Sequence, residues 1–157
     1  MVGAKLSHPM GGNREPLQHT IGANSEAFTY GDLVTYASGF LEVVDSATAD
    51  RIDGICKVKK TMASDNQTVL KYEVPYIPLS VDDEFEMELD AAATVANQGQ
   101  FFTITTGGTG AQTVSFSSAS ASVGQVVLIK LDPRGEGSTT RGLFRVALNR
   151  VAFEPET

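Results

Sequence analysis

The chain has 157 residues, a hydrophobic fraction of 41% and a formal net charge of −7. This length suits one domain with a core of useful size. The acidic balance argues against nucleic acid or an anionic membrane as a partner, because phosphate contact needs clustered Lys and Arg.

No apolar stretch approaches the roughly 20 residues of a membrane span. The N-terminus has no basic region followed by an apolar run, which is the pattern of a secretory signal peptide. Cys56 is the single cysteine, so no internal disulfide can form. We therefore expect synthesis in a reducing cytoplasm and a small buried thiol at Cys56.

Residues 1–18 are predicted to form a flexible arm, with residues 19–157 as a single β-rich domain. Proline and glycine disfavour both a helix and a central strand in this segment. Such an arm is either disordered or lies over another surface, and it can gain order by adding to a partner. Its proline and glycine residues are Gly3, Pro9, Gly11, Gly12 and Pro16.

The first half of the body reads as strands and turns. Residues 33–36 and 40–44 flank a Gly-containing turn and predict a hairpin. Strands follow over residues 51–60 and 69–79. Pro75 and Pro78 in the second of these require an edge position or a bulge.

The second half continues in the same way. Strands are predicted over residues 101–105, 113–116, 126–131 and 143–148. Residues 91–97 predict one short helix, with Asp90 as its N-cap. About ten short strands with regular turn signals predict an all-β fold, a small β-barrel or β-sandwich with at most one or two short helices.

The clearest local pattern covers residues 81–90. Phe85, Met87 and Leu89 alternate with acidic residues, so one strand face is apolar and the other is acidic. The carboxylates lie roughly 7 Å apart along the strand and do not converge as a calcium loop requires. We expect a solvated face or a contact between subunits. The acidic residues are Glu84, Glu86, Glu88 and Asp90.

Arginines concentrate near the C-terminus of an otherwise acidic chain. Arginine suits interfaces because its planar fork pairs with carboxylates. A basic edge that meets the acidic face of a neighbouring copy would build a head-to-tail ring. The candidate subunit contacts are therefore Glu84, Glu86, Glu88, Arg141, Arg145 and Arg150, with Arg134 also in the basic group.

No catalytic or metal-ligand constellation is recognisable. Serine is abundant, but no Gly-x-Ser-x-Gly elbow occurs. His8 and His19 lack zinc-ligand spacing to the single cysteine. The glycine-rich residues 107–110 lack the Lys-Ser/Thr pair of a phosphate loop and predict a hairpin tip. The basic residues 57–60 predict a solvated strand face, with a contact site as the alternative. We expect a non-enzymatic protein without a cofactor or metal.

Three stretches carry a family resemblance: residues 30–36 (YGDLVTY), 49–55 (ADRIDGI) and 93–102 (ATVANQGQFF). They resemble the decoration, or cement, proteins of tailed-bacteriophage capsids, which show a Gly-Asp-Leu-Val strand followed by a hydrophobic-x-Gly-hydrophobic strand. The resemblance implies a β-tulip-like fold. It also implies a homotrimer on the virion exterior that bridges major capsid protein subunits and stabilises the shell against internal DNA pressure.

The resemblance also implies a capsid-binding role for the arm, commonly by strand addition. The apolar and proline points chosen as its anchors are Leu6, Pro9, Met10 and Leu17. Two alternatives stay open. One is a receptor- or carbohydrate-binding module of a head fibre or tail tip, although the chain has no Trp and only 4 Tyr for a sugar site. The other is a shell- or tube-forming virion protein.

Overall fold

A computed structural model describes residues 4–8, 17–45, 51–80, 82–106 and 112–147, with the backbone alone described for residues 5–8. Strands dominate these residues, which confirms the all-β prediction. Helical structure in this part of the chain is limited to the single turn α1 (Asn66–Val69) and one 3₁₀ turn, Val95–Asn97.

The larger sheet has six antiparallel strands and curls. An isolated parallel bridge joins Leu89 to Val114, so the two sides of the sheet approach each other without a continuous ladder. In sheet order the strands are β1 (Lys5–His8), β9 (Glu84–Glu88), β13 (Arg141–Val146), β12 (Val126–Leu131), β10 (Phe101–Thr106) and β11 (Gln112–Ser120).

The second sheet has five strands and also curls, with a parallel bridge from Gly22 to Leu41. A small two-stranded sheet lies beside it. In order, the five strands are β2 (Gln18–Ile21), β8 (Glu73–Pro78), β6 (Gly54–Cys56), β4 (Leu33–Ala37) and β5 (Phe40–Val43); the pair is β3 (Ala27–Phe28) and β7 (Lys60–Thr61).

The core consists of two apolar clusters that share the five-stranded sheet. Successive residues of a strand point to opposite faces. Leu33 and Ile55 therefore join the larger cluster, whereas their neighbours Val34 and Cys56 join the smaller one. The larger cluster also contains the buried aromatic residues of the six-stranded sheet, Phe85, Phe102 and Phe144.

One buried glutamine ties the two large sheets together. Gln112 of β11 is 2% exposed. Its Oε1 accepts from the Leu33 N–H at 2.6 Å, and its Nε2 donates to the carbonyls of Leu33 at 3.1 Å and Val44 at 2.7 Å. The Leu33 N–H and the Val44 carbonyl are thereby paired inside the core, and the Leu33 carbonyl, which also accepts from the Val44 N–H at 2.9 Å, gains a second bond.

Several predicted elements differ from the observed ones. The predicted strand over 51–60 is broken into β6 and β7, and the predicted strand over 69–79 begins only at Glu73. The predicted helix over 91–97 is reduced to a 3₁₀ turn with Thr94 as its N-cap. Asp90 does not cap it, because its carboxylate accepts from the Phe116 N–H at 2.7 Å.

The prolines of β8 correct a further expectation, since β8 lies inside its sheet between β2 and β6. The carbonyl of Pro75 accepts from the Lys57 N–H at 2.9 Å, one residue beyond the end of β6. Pro75 therefore faces a place where β6 has already ended. Pro78 is the last residue of β8, and alternation turns it toward β2, beyond the pairing of Gln18 with Tyr76. Within the described ranges, neither missing N–H interrupts a ladder.

The described residues of segment 1–18 pair with strands of the same chain. Strand β1 lies at the edge of the six-stranded sheet against β9, and β2, which begins at Gln18, lies at the edge of the five-stranded sheet against β8. Ala4 is 5% exposed and belongs to the larger core cluster. The segment therefore contributes edge strands to both large sheets.

Candidate interaction surfaces

The most prominent polar surface is a ladder of opposite charges across β9 and β13. We call it the charged ladder: Glu84, Glu86, Glu88, Arg134, Arg141 and Arg145. Alternation along β9 buries Phe85 and Met87 completely and turns the three glutamates outward, as the sequence pattern predicted. The antiparallel register with β13 then sets Arg141 opposite Glu88.

Each glutamate of the ladder pairs with an arginine of the same chain. Arg145 contacts Glu84 at 2.6 Å, and Arg134 contacts Glu86 at 2.7 Å. The same contact to Glu86 raises the pKa of the Arg134 guanidinium.

Arg141 has two acidic neighbours. It contacts Glu88 at 3.2 Å and Glu136 at 2.6 Å. The sequence identified both charged groups but assigned them to opposite sides of a contact between subunits. In the structure the glutamates of β9 form ion pairs with arginines of the same chain. Charge complementarity between neighbouring copies therefore no longer supports a head-to-tail ring. Arg150 lies outside the described residues.

The N-terminal segment provides a second candidate surface. The side chain of Leu17 is 51% exposed directly before β2. Leu6 lies on β1, where the backbone register pairs it with Phe85 of β9. Pro9 and Met10 lie outside the described residues.

The edges opposite the N-terminal strands are partly covered by the chain itself. At β5, the Leu41 carbonyl accepts from the Ala23 N–H at 2.9 Å, and Glu26 accepts from the Val43 N–H. At β11, the Val114 carbonyl accepts from the Asp90 N–H at 3.0 Å. Backbone groups engaged in this way are unavailable to an added strand.

The residues that carry the family resemblance hold the fold together. Gly31 has a φ of 85°, which favours glycine. Leu33 and Val34 are completely buried on opposite faces of β4. At Gly54, an added Cβ would lie 2.4 Å from the carbonyl oxygen of Ile77. These residues specify backbone conformation and close packing.

Two buried carboxylates lie beside these motifs. Asp53 accepts from the Thr35 hydroxyl at 3.1 Å, from the Tyr36 N–H at 2.8 Å and from Arg51 at 3.0 Å. Asp32 accepts from the Thr29 N–H at 2.8 Å through Oδ2, whereas its buried Oδ1 has no hydrogen-bond partner among the described residues. Burial raises the pKa of Asp32 to about 6. Sequence patterns gave no signal for either network.

A chain of hydroxyl groups links β2, β4 and β8. The Tyr36 hydroxyl lies 2.5 Å from that of Tyr76 and 2.7 Å from that of Thr20. Burial, followed by the hydrogen bond with Tyr36, raises the pKa of Tyr76 to about 12. The Tyr76 phenol is therefore neutral at physiological pH. The spacing of these residues in sequence could not have indicated this contact, because strand order alone brings them together.

Cys56 confirms the predicted buried thiol. It is free and completely buried, and its Sγ donates to the Val58 carbonyl at 3.3 Å. Burial raises its pKa to about 11, so the reactive thiolate is scarce at neutral pH.

Of the other residues weighed as ligands, His8 has only its backbone described. His19 is exposed on β2, and residues 107–110 lie outside the described part of the chain. No group of three or more His, Cys, Asp or Glu among the described residues could hold a metal ion. Within the same residues, no helix is both long and apolar enough to cross a bilayer.

Comparison with known proteins returned no family model that matches the chain and no match among curated proteins.

Proposed function

We propose that this chain is a non-enzymatic structural protein of a virion. It binds the outer surface of a tailed-phage capsid as a homotrimer and stabilises the shell against internal DNA pressure. Its partner is the major capsid protein. The support from sequence is the resemblance of residues 30–36, 49–55 and 93–102 to capsid decoration proteins.

The structural observation that carries the proposal is the position of the N-terminal segment. Strands β1 and β2 occupy one edge of each large sheet, whereas neighbouring backbone or side chains partly cover the opposite edges at β5 and β11. An edge strand can pair with an extended segment of another chain. Leu17, 51% exposed beside β2, supplies an apolar anchor there.

Energetics favour an oligomer over a monomer for this role. Each added backbone hydrogen bond contributes roughly 0.5–1.5 kcal/mol net, against an ordering cost of about 1–2 kcal/mol per residue. One edge strand that pairs with one partner segment therefore binds weakly. Three such contacts on one trimer act together through their effective concentration and bind much more tightly.

The first test is the solution mass by light scattering over a concentration series, followed by co-sedimentation with capsid shells that lack decoration protein. We expect a concentration-independent trimer that sediments with the shells. Polymers without shells would favour a shell- or tube-forming protein. A monomer that ignores shells but binds a glycan array would favour a recognition module.

A matched pair of variants tests the position of the contact. Leu17→Asp should weaken co-sedimentation at least tenfold, because it places a charge beside the binding edge. Val123→Asp introduces the same charge at a residue that is 64% exposed in the loop between β11 and β12, and it should bind like the wild type. Equal binding by both variants would contradict a contact at β2.

A further inference from the structure

An open cleft lies beside α1 on the five-stranded side of the molecule. Its volume is about 260 Å³, and the side chains of Met62, Ala63 and Tyr72 give it an apolar lining. Lys60 and Lys71 also line the cleft. The Lys60 ammonium is held 3.6 Å from the centre of the Tyr72 ring, a cation–π contact that orients it.

The lysines of this cleft differ from the arginines whose ion pairs the structure describes. Arg51, Arg134, Arg141 and Arg145 all form ion pairs. Lys60 and Lys71 form none within the part of the chain that the structure describes, although the chain carries a net charge of −7. The cleft therefore carries two lysines that form no ion pair with a carboxylate of the described residues.

Leu70, next to Lys71, supplies a second and independent observation. It terminates α1 in the left-handed conformation, with a φ of 51°, where glycine or asparagine is preferred. It is also 60% exposed, and its neighbour Val69 is 51% exposed. An apolar side chain that is unfavourable to the local backbone and gains little burial points to a role in binding.

We propose that this cleft binds an acidic peptide segment of a partner protein, with a carboxylate between Lys60 and Lys71 and an adjacent apolar side chain against Val69 and Leu70. The cleft is smaller than the roughly 300–1,000 Å³ of most small-molecule sites, but it fits one side chain. The overall negative charge of the chain repels a polyanion such as nucleic acid, and two lysines could not offset that repulsion.

The test is selection of binders from a random octapeptide library by the full chain. We expect the selected peptides to be enriched in Asp or Glu next to Leu, Ile or Phe. A selected peptide should bind at least tenfold more weakly in 0.5 M NaCl than in 0.05 M NaCl, because exposed charges are screened. Selection without acidic enrichment would overturn the proposal.

Matched variants locate the site. Lys71→Gln should lower the affinity for the selected peptide at least tenfold. Lys130→Gln removes the same charge from an exposed residue of β12 and should leave the affinity unchanged. Leu70→Asn suits the left-handed backbone, so folding stability should be unchanged or higher while peptide affinity falls severalfold. Equal loss in the Lys71 and Lys130 variants would reduce the effect to net charge and refute the site.

Competitors separate the chemical sources. Inorganic phosphate and a thymidine oligonucleotide should each fail to displace the selected peptide at a tenfold excess over it. Displacement by either would assign the cleft to phosphate groups and would contradict the proposal. Amide chemical shifts of residues 60–63 and 69–72 on addition of the peptide give a direct reading of the contact. Shifts confined to other residues would also overturn it.

Discussion

The two large sheets bury their side chains in different ways. The six-stranded sheet has one apolar face toward the core, and in β9 and β13 its other face carries the charged ladder. The five-stranded sheet is covered on both faces, so consecutive residues such as Leu33 and Val34 are both buried. A one-sided sheet shows period-two alternation, whereas a two-sided sheet shows continuous apolar runs.

This difference decides where polar groups must be satisfied. In β9 and β13 the charged groups stay at the surface, where each ion pair adds little stability. The five-stranded half instead buries Asp32, Asp53 and Asn66 to 2% exposure or less. Buried polar groups cost stability unless they are hydrogen-bonded. We therefore expect single substitutions to have larger effects in the five-stranded half.

The largest expected effect is at Gly54, in the centre of the five-stranded sheet. In Gly54→Ala the new Cβ would meet the Ile77 carbonyl oxygen at 2.4 Å and Cδ2 of Tyr76 at 2.6 Å. Because the nearest atom belongs to backbone, relief requires β6 and β8 to separate. We expect a loss of about 3 kcal/mol or more in the free energy of unfolding, measured by urea denaturation.

The control is Gly39→Ala in the turn between β4 and β5. Gly39 has a φ of 87°, but no atom lies within 4 Å of its added Cβ. The substitution should cost about 1 kcal/mol from backbone conformation alone. Equal losses at both glycines would show that crowding between β6 and β8 is unimportant.

A smaller loss is expected when the connection between the sheets is removed. Gln112→Leu keeps the side-chain size but leaves the Leu33 N–H and the Val44 carbonyl without the glutamine partner, whereas the Leu33 carbonyl keeps its bond from the Val44 N–H. We expect a loss of about 2–3 kcal/mol, since an unsatisfied buried group costs roughly 1–3 kcal/mol and water relieves part of it.

The exposed glutamine Gln98 provides the comparison. Its Oε1 accepts one surface hydrogen bond, from the Leu131 N–H at 3.0 Å. Gln98→Leu should change the free energy of unfolding by less than about 1 kcal/mol, because water can replace that bond. If Gln112→Leu were equally mild, the glutamine contact between the sheets would not be a major source of stability.

The same contrast explains how far the sequence could predict the structure. Residues 81–90 and 126–131 predicted β9 and β12 well, because alternation or length alone indicates a strand there. The strand predicted over 51–60 was wrong in extent, because pairing partners rather than local pattern end β6 at Cys56. Pro75 predicted an edge strand, because proline has no N–H to donate to a neighbouring strand. Strand β8 nevertheless lies inside the sheet, since Pro75 faces a place where β6 has already ended.

For the candidate surfaces, the sequence identified the charged groups but not their pairing. Glu88 and Arg141 meet because β9 and β13 are neighbours, and strand order is set by packing of the whole chain. The alternation along β9 was predicted from local pattern. Contacts of Gln112 with Leu33 and Val44 are long-range in the same sense. Neither could be inferred from spacing along the chain.

Asp32 makes the comparison depend on pH. Burial raises its folded-state pKa from 3.8 to about 6, so the folded chain binds more protons than the unfolded chain between these values. Its favourable contribution is complete below pH 3.8 and is lost as the pH rises through 6. Asp32→Asn should therefore raise stability at pH 7.5 by about 1–2 kcal/mol, which is less than the roughly 3 kcal/mol that the full pKa difference corresponds to.

The measurement is urea denaturation at pH 4.5, 5.5, 6.5 and 7.5. The Asp32→Asn substitution should flatten the pH dependence without abolishing it, because burial also raises the pKa of Glu26. Asp82→Asn, at an exposed residue, should keep the wild-type slope. An unchanged slope in Asp32→Asn would show that the buried carboxyl is not the titrating group.

The smallest effect is expected in the charged ladder, where a double-mutant cycle of Glu88→Gln and Arg141→Gln isolates one pair. The two side chains are 26% and 18% exposed and lie 3.2 Å apart. We expect a coupling energy of about 0.5 kcal/mol that declines in high salt.

A charge reversal tests the ladder as a contact between subunits. Because Glu86 and Glu88 both pair with arginines of the same chain, Glu86→Lys combined with Glu88→Lys should leave the solution mass unchanged. A dissociated oligomer in that variant would instead show that the charged ladder is a contact between subunits. The surface charges of the six-stranded sheet would then matter for assembly as much as the buried polar groups of the five-stranded half matter for folding.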